Sequence, residues 1–231
     1  MEQLILDMGL ERVPSLDNFW AGANAPVVAH LRQWLQRWNV QAGWAPIYLW
    51  GDRGCGKTHL LRAAEAWLRE RGVLLLWINP VHPSWASVLD CPQAWTGVVL
   101  DDVHAYDAAR QQVAFQVLVH AQSMALPVLA AGAWPPADLP LREDVRTRLG
   151  GGHVWALRPL DEDTCKAVLH EQAHVRGIEI DDGVMDFLLR RFSRDLSSMM
   201  ALLDRVDRYA LQTGRCVTIP LVRSMMEQAQ A

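Results

Sequence analysis

Gly51-Asp52-Arg53-Gly54-Cys55-Gly56-Lys57-Thr58 is the stretch of sequence that decides the fold. It fits the pattern G-x-x-x-x-G-K-[ST] in full and lies between a short apolar run and an Ala/Leu-rich segment. Glycines let such a loop wrap tightly, so backbone N–H groups converge on phosphate oxygens, and the following helix adds its positive end. All eight residues are therefore predicted to bind ATP or ADP, with Lys57 on the β- and γ-phosphates and Thr58 on Mg²⁺. A glycine-rich turn without function is the alternative, which the strand-loop-helix context disfavours.

A second phosphate-site element is predicted about 45 residues later, where the apolar run 97–100 ends in Asp101 and Asp102. Asp101 is expected to hold Mg²⁺, directly or through water, and Asp102 to orient a water for attack on the γ-phosphate. An acidic pair after a strand is more often a helix cap or a solvated loop. Its position downstream of the glycine-rich loop favours the phosphate site.

Short apolar runs alternate with helical segments in the first two thirds of the chain. The predicted strands are 47–50, 73–78, 97–100, 127–131 and 154–157, the first two of them buried, and the predicted helices are 26–38, 58–71 and 108–125. This alternation predicts a three-layer α/β sandwich with a parallel sheet.

The pattern changes after Pro159, where helical segments follow one another without a comparable strand. They are 161–176, 182–192, 196–213 and 219–229. We therefore predict an α/β nucleotide-binding base over 11–158 and a small all-helical lid over 159–231, with an apolar tail, 1–10, outside the fold.

Composition narrows the class of protein. The chain has 22 Lys and Arg against 26 Asp and Glu, and this net charge of −4 argues mildly against autonomous DNA binding. Its four cysteines have no C-x-x-C spacing, and the N-terminus has no basic region typical of a signal peptide. The longest apolar run, 73–78, is too short to span a membrane. A reduced cytoplasmic protein without membrane association is expected.

The succession of motifs resembles the AAA+ class, and shorter segments resemble its DnaA/Hda branch from about Phe19 onward. These segments are Phe19-Trp20-Ala21-Gly22-Ala23-Asn24, Gly132-Ala133-Trp134-Pro135-Pro136, Arg146-Thr147-Arg148-Leu149-Gly150 and Arg194-Asp195-Leu196. The resemblance implies an AAA+ P-loop domain followed by a helical lid. It also implies that Asn24 lies near the adenine and ribose, and that Arg194, on the second-sensor helix of the lid, contacts the nucleotide.

The segment 146–150 resembles the box that carries the arginine finger of this family. A finger supplied in trans neutralises charge on the transferring phosphoryl group and is worth about 10³–10⁵ in rate. Arg148 is the favoured finger because it directly precedes the Leu-Gly of the box, and Arg146 is a close competitor. The alternative is a surface Arg148 paired with Glu143 or Asp144.

The tail Gln3-Leu4-Ile5-Leu6-Asp7-Met8 resembles the clamp-binding peptide Q-L-x-L-x-L of the Hda proteins. Such a peptide lays spaced aliphatic side chains into an apolar groove while the glutamine amide fixes the register. The resemblance assigns sliding-clamp binding to Gln3, Leu4, Leu6 and Met8. An edge strand that packs on its own domain is the alternative.

Two departures from DnaA matter. The first sensor normally offers a polar side chain to the γ-phosphate, but the strand end here reads Ala130-Ala131-Gly132-Ala133. This predicts a protein that binds nucleotide with weak or no ATPase activity of its own. We also expect neither the helix-turn-helix domain nor the N-terminal domain of DnaA, and both absences are similar to the Hda proteins.

The resemblance therefore implies a regulator of replication initiation that binds ATP or ADP with Mg²⁺. It would dock on the sliding clamp, the beta subunit of DNA polymerase III, reach DNA only through the clamp, and stimulate hydrolysis of DnaA-bound ATP with Arg148. A homo-oligomer is compatible with this interpretation. Two alternatives stay open: an autonomous AAA+ ATPase that remodels or loads a partner, and a DnaA-like DNA-binding initiator paralogue.

Overall fold

The computed structural model describes residues 13–37, 45–81, 94–192 and 196–228. Within these ranges, five parallel strands form one sheet in the order β2-β3-β4-β1-β5. The strands are β1 Ile47–Trp50, β2 Leu75–Ile78, β3 Gly97–Leu100, β4 Val128–Gly132 and β5 His153–Ala156.

Helices cover both faces of the sheet and form the whole of the lid that the structure describes. In the base they are α1 Ala25–Arg37, α2 Lys57–Arg69, α3 Ala108–Ser123 and α4 Glu143–Gly150. In the lid they are α5 Glu162–Val175, α6 Asp182–Arg191, α7 Leu196–Thr213 and α8 Ile219–Gln228. No helix of the described ranges is both long and apolar enough to cross a membrane.

Alternate residues of the central strands pack into opposite layers, because side chains along a strand point to opposite faces. In β1, Tyr48 joins the buried cluster that includes α3 and α4, whereas Ile47 and Leu49 join the cluster of α1 and α2. The sheet is thus covered on both faces, and the predicted three-layer α/β fold is confirmed.

The lid has a separate hydrophobic core. Met185, Leu203 and Val222 are fully buried in a cluster that α5, α6, α7 and α8 build without the base. Its first two helices begin with aspartate caps: Asp161 accepts a hydrogen bond from the Thr164 amide, and Asp181 accepts one from the Val184 amide, each at 2.8 Å. The predicted helical lid is therefore confirmed.

The prediction of a buried strand over 73–78 is wrong in extent and in burial. The strand β2 begins at Leu75, and Leu75, Leu76 and Trp77 are only partly buried. The reason is that β2 lies at one edge of the sheet, where its apolar residues have a neighbouring strand on one side. The short helix α4, which carries Arg148, was not among the predicted helices.

The order of the strands sets the position of the loop at 51–56. This loop follows β1, which lies between β4 and β5, and the carboxyl ends of β1, β3 and β4 meet at the same edge of the sheet. Ligands of open α/β sheets bind at this edge, beside the point where the strand order reverses. Both motifs of the predicted phosphate site therefore lie where a ligand is expected.

The end of β4 packs against a buried phenol. The Tyr48 hydroxyl donates to the Trp134 carbonyl at 2.6 Å, and a Cβ on Gly132 would lie 2.2 Å from the same hydroxyl oxygen. Burial raises the pKa of Tyr48 far above its ordinary value, so the phenol is a neutral donor. The hydroxyl therefore occupies the space that a side chain at 132 would need.

Gly132→Ala should lower the free energy of unfolding by about 1–3 kcal/mol, the usual cost of overpacking. Tyr48→Phe should cost about 1–2 kcal/mol by itself, because it leaves the Trp134 carbonyl without its donor. The double variant should lose less than the sum, since the phenylalanine lacks the oxygen that meets the new methyl group. Urea denaturation of the four proteins measures this coupling, and losses that add within about 0.5 kcal/mol would contradict the proposed packing.

Candidate functional site

The loop between β1 and α2 needs glycine at two close approaches. A Cβ on Gly51 would lie 2.3 Å from the Leu157 carbonyl oxygen, and one on Gly56 would lie 2.5 Å from the Phe19 ring. Gly54 and Gly56 also have φ of +80° and +95°, which favours glycine. The loop is thus wrapped tightly between the start of the base and the end of β5.

Lys57 is the first residue of α2 and is buried under this loop. Its Nζ donates to the carbonyls of Gly51 and Asp52 at 2.7 and 2.8 Å and lies 3.7 Å from Cys55 Sγ. Within the described ranges no carboxylate forms an ion pair with Lys57. A buried ammonium that forms no direct ion pair with a described residue favours an anionic ligand, and a helix N-terminus adds to that preference.

Cys55 fills space under the loop. It is buried, and its Sγ lies 3.1 Å from the position of a Cβ on Gly51. Burial raises the pKa of the thiol, and the ammonium of Lys57 acts in the opposite direction. The sequence predicted that Cys55 contacts the nucleotide as part of the loop. Its side chain is buried beneath the loop beside Lys57.

Thr58 and Asp101 are brought together from separate motifs. The Thr58 hydroxyl donates to Asp101 Oδ2 at 2.9 Å, and the carboxyl is only 5% exposed. Burial raises the pKa of Asp101, the Thr58 hydrogen bond opposes that rise, and the charge of Asp102 adds to it. A hydroxyl and a buried carboxylate are oxygen ligands that suit Mg²⁺, which takes few protein ligands and completes its shell with phosphate and water. These residues therefore fit a magnesium ion.

Asp102 follows in a left-handed backbone conformation, with φ of +49°. Its amide donates to Asp101 Oδ1 at 3.0 Å, which orients the preceding carboxylate. Asp102 also precedes the 3₁₀ turn Val103–Ala105, but its side chain makes no capping hydrogen bond there. The cap that was the alternative role for this pair is therefore not formed.

Asn24 lies at the junction of the base and the lid. Its side-chain amide donates to the Arg158 carbonyl at 2.8 Å, and its oxygen accepts from the Arg158 amide at 2.9 Å. The residue is buried, so both polar ends of its side chain are engaged with the segment that leads into α5. Contact with adenine or ribose stays a prediction, and the observed contacts assign Asn24 to joining the two parts.

The arginines of α4 differ in their partners. Arg148 donates from Nη1 to Gln122 Oε1, and its guanidinium lies 5.4 Å from the centre of the Phe115 ring. Arg146 donates to the Ala137 carbonyl at 2.9 Å. The alternative ion pair of Arg148 with Glu143 or Asp144 is not formed.

Asp144 pairs instead with Arg142, at 2.7 Å. Within the described ranges Arg148 has no carboxylate partner, so its charge is held in place but not neutralised. Arg146, by contrast, ties α4 to the preceding loop.

Some predicted site residues lie outside the described ranges. These are Gln3, Leu4, Leu6 and Met8 of the tail, and Arg194 of the lid. Their roles stay predictions from the sequence.

Phe115 and Gln122 contact Arg148 from α3 and were not among the residues predicted from the sequence. They are seven residues apart and so lie on the same face of that helix. That spacing is visible in the sequence, but it does not show that this face meets α4, a helix that was not predicted either.

Two family models match separate parts of the chain. The model described as the bacterial DnaA ATPase domain matches residues 10–73, which contain the glycine-rich loop. The model described as the Hda lid domain matches residues 161–226, which contain α5 to α8. The two matches follow one another in the order of base and lid.

Solved structures share the fold. Domain III of the Thermotoga maritima replication initiation protein DnaA is 17% identical with a TM-score of 0.75, over 94% of this chain and 97% of that one. AMPPCP-bound DnaA from Aquifex aeolicus is 20% identical, with a TM-score of 0.69 over 86% of this chain and 66% of that one. The Thermotoga maritima RuvB Holliday junction branch migration motor is 19% identical, with a TM-score of 0.68 over 93% of this chain and 71% of that one.

These likenesses, at identities of 20% or less, establish the fold. The chain spans slightly less than two thirds of the length of the longer replication initiation proteins that it matches, 65% and 66%.

Asp101→Asn should leave the free energy of unfolding at pH 7 unchanged or raised. Because the folded-state pKa of Asp101 lies above its ordinary value of 3.8, ionisation weakens the fold as the pH rises from 3.8 through the raised pKa. Asparagine keeps an acceptor for the Asp102 amide and removes the buried charge. Urea denaturation at pH 7 measures the difference.

Asp161→Asn is the control of opposite sign. Hydrogen bonds from Thr164 lower the pKa of Asp161, so its carboxylate contributes stability above pH 3.8 that is lost as the pH falls through the lowered pKa. This variant should lose some stability at pH 7. A large loss in Asp101→Asn as well would mean that the Asp101 carboxylate itself stabilises the fold.

Proposed function

We propose that this member of the DnaA-related AAA+ proteins, whose lid matches the Hda lid domain, regulates chromosomal replication initiation by promoting hydrolysis of the ATP held by DnaA. The observation that carries the proposal is the setting of Arg148, a guanidinium held on the outer face of α3 and α4 that pairs with no carboxylate of the described residues. Both family models that match segments of the chain describe domains of the DnaA/Hda branch.

ATP or ADP is the proposed ligand of the chain's own loop. Lys57 would meet the β- and γ-phosphates in place of the Gly51 and Asp52 carbonyls, and the amides of the loop would converge on phosphate oxygens. Thr58 and Asp101 would hold Mg²⁺, whose charge offsets the repulsion among phosphate oxygens. One DnaA of the same fold is described as AMPPCP-bound, which supports the same class of ligand here.

We expect the chain's own turnover to be slow. The end of β4 offers no polar side chain, and the Tyr48 hydroxyl that fills the space beside Gly132 is donated to the Trp134 carbonyl. Without a donor at this point, charge that develops on the γ-phosphate has less stabilisation. The bound nucleotide would then serve mainly to join base and lid, and an autonomous remodelling ATPase is disfavoured.

Arg148 is better suited than Arg146 to act on another chain. Arg146 is committed to the Ala137 carbonyl, whereas Arg148 contacts a neutral amide and an aromatic face. The helix α4 also packs on the opposite face of the sheet from α2, which begins at Lys57. This separation favours action in trans over action on the chain's own nucleotide.

The proposed chemistry is hydrolysis of the terminal anhydride. The water oxygen bonds to the γ-phosphorus of the ATP on DnaA while the bond to the β–γ bridging oxygen breaks, which yields ADP, inorganic phosphate and a proton. Negative charge develops on the γ- and bridging oxygens, and the Arg148 guanidinium would neutralise it. ADP-bound DnaA would then no longer initiate.

The sliding clamp is the proposed docking partner of the tail. Gln3 would fix the register of the peptide while Leu4, Leu6 and Met8 fill an apolar groove. The sequence carries this part of the proposal, since the tail lies outside the described ranges. Docking would bring the chain to DNA through the clamp, which agrees with a net charge of −4.

Lys57→Ala should weaken the binding of both ATP and ADP, because the variant loses the cation at the β-phosphate. A charge-assisted contact of this kind is worth about 1.5–3 kcal/mol, or roughly 10- to 150-fold in Kd. Isothermal titration calorimetry with purified protein measures it. Arg37→Ala, which changes an exposed residue at the end of α1 whose side chain makes no ion pair within the described ranges, is the matched control, and unchanged affinity in Lys57→Ala would refute the assignment of the loop.

Arg148→Ala should bind nucleotide and clamp normally but lose stimulation of DnaA. The rate of stimulated hydrolysis should fall by about 10³- to 10⁵-fold, the contribution of an arginine finger, because the contact forms only in the transition state. Conversion of DnaA-bound ATP to ADP is followed over time with DNA-loaded clamp present. Arg146→Ala should retain most of the activity.

Two outcomes separate the parts of the proposal. Full stimulation by Arg148→Ala would refute the role of this arginine, and loss only in Arg146→Ala would move the finger two residues upstream. A Gln3→Ala/Leu6→Ala variant that stimulates at the parent rate without binding the clamp would refute the docking step alone.

A further inference from the structure

The outer face formed by α3 and α4 holds two arginines in unequal electrostatic settings. The centre of the Phe115 ring lies 5.3 Å from the Arg142 guanidinium and 5.4 Å from that of Arg148. Both distances lie within the range of a cation–π interaction. Phe115 is half-buried and packs against the core of the sheet, so the ring is a fixed surface for both side chains.

The two arginines differ in what completes their contacts. Arg142 donates to Gln112 Oε1 and forms an ion pair with Asp144 at 2.7 Å, so its charge is compensated. Arg148 donates to Gln122 Oε1, and no carboxylate of the described ranges pairs with it. A neutral amide orients a guanidinium and leaves its charge available to an anion, whereas a carboxylate would neutralise it.

We propose that Gln122 and Phe115 are positioning residues for Arg148, which hold its guanidinium in place, with its charge uncompensated, for the phosphate group of a nucleotide bound to another chain. This inference rests on the trans-acting role proposed for Arg148. Arginine has a long side chain with many rotamers, and fixing it before the encounter lowers the entropy lost when the phosphate is met. The ring restricts the plane of the guanidinium, and the amide oxygen fixes its direction.

Gln122→Glu is the most specific test of this proposal, because glutamate has the same size as glutamine and adds only a charge. Gln122→Glu should form an ion pair with Arg148 and neutralise the charge that the phosphate would otherwise meet. We expect the maximal rate of stimulated ATP hydrolysis to fall about 10- to 100-fold, because the guanidinium has to leave this ion pair to reach the phosphate. The concentration of this chain that gives half of the maximal rate should stay within about twofold, since docking surfaces are unchanged.

Gln122→Met tests orientation without added charge. It keeps the length of the side chain but has no oxygen to accept from Arg148, so the maximal rate should again fall while half-saturation stays the same. In an Arg148→Ala background, Gln122→Glu should cause no further loss, because the glutamine acts only through the arginine.

Gln112→Glu is the matched control on the same helix. It adds the same charge beside Arg142, whose own charge Asp144 already compensates, and should keep the parent rate. Melting temperature and ATP affinity of each variant are measured alongside, and both should match the parent, since 112 and 122 are exposed.

The outcomes distinguish this inference from the function on which it rests. If Arg148→Ala stimulates DnaA fully, the proposed function fails whatever the glutamine variants do. If Arg148→Ala is inactive while Gln122→Glu or Gln122→Met keeps the parent rate, the function stands and the positioning role is overturned. Equal losses in Gln112→Glu and Gln122→Glu would also overturn it, because the effect would then follow from surface charge alone.

Discussion

The backbone of the phosphate loop lies directly against the strand end that leads into the lid. A Cβ on Gly51 would meet the Leu157 carbonyl at 2.3 Å, and the Leu157 amide donates to the Trp50 carbonyl at 2.7 Å. One residue further, Asn24 holds the backbone of Arg158 by two hydrogen bonds. The loop, the start of α1 and the segment before α5 thus meet in one place. This close packing leaves the loop backbone little space to shift without moving the segment before α5.

Charge is distributed unevenly around this junction. Lys57 and Asp101 are both buried at the carboxyl edge of the sheet, where they interact electrostatically but neither forms a direct ion pair within the described ranges. Such a pair suits a ligand that brings both anionic phosphate and a divalent cation. Arg148 lies on a helix of the other layer, with its charge directed to the outside by a neutral amide. This arrangement is compatible with the proposed function, in which one chain binds its own nucleotide and presents a cation to a second one.

Much of the base could be predicted because its decisive residues are close in sequence. The glycine-rich loop, the alternation of apolar runs with helical segments and the acidic pair after β3 predicted the three-layer fold and the succession of strands and helices along the chain. The position of a strand in the sheet could not be predicted in the same way. Apolar runs such as 73–78 look the same at an edge and at the centre, so β2 was expected to be buried and instead lies at the edge with Leu74 largely exposed. The helix α4 was missed because eight residues, four of them charged, show little apolar periodicity.

The sequence by itself determined the phosphate loop, the alternation of the base and the helical character of the lid, because each depends on residues within a few turns of one another. Only the tertiary structure decided the partners of the side chains. It joined Thr58 to Asp101 across 43 positions and Asn24 to Arg158 across 134. It also gave different partners to Arg146 and Arg148, which lie two residues apart: Arg146 is bound to a loop carbonyl, and Arg148 contacts Phe115 and Gln122. The physical reason is that the surroundings of a side chain are made by whichever elements pack beside it, and packing brings together residues that the chain keeps far apart.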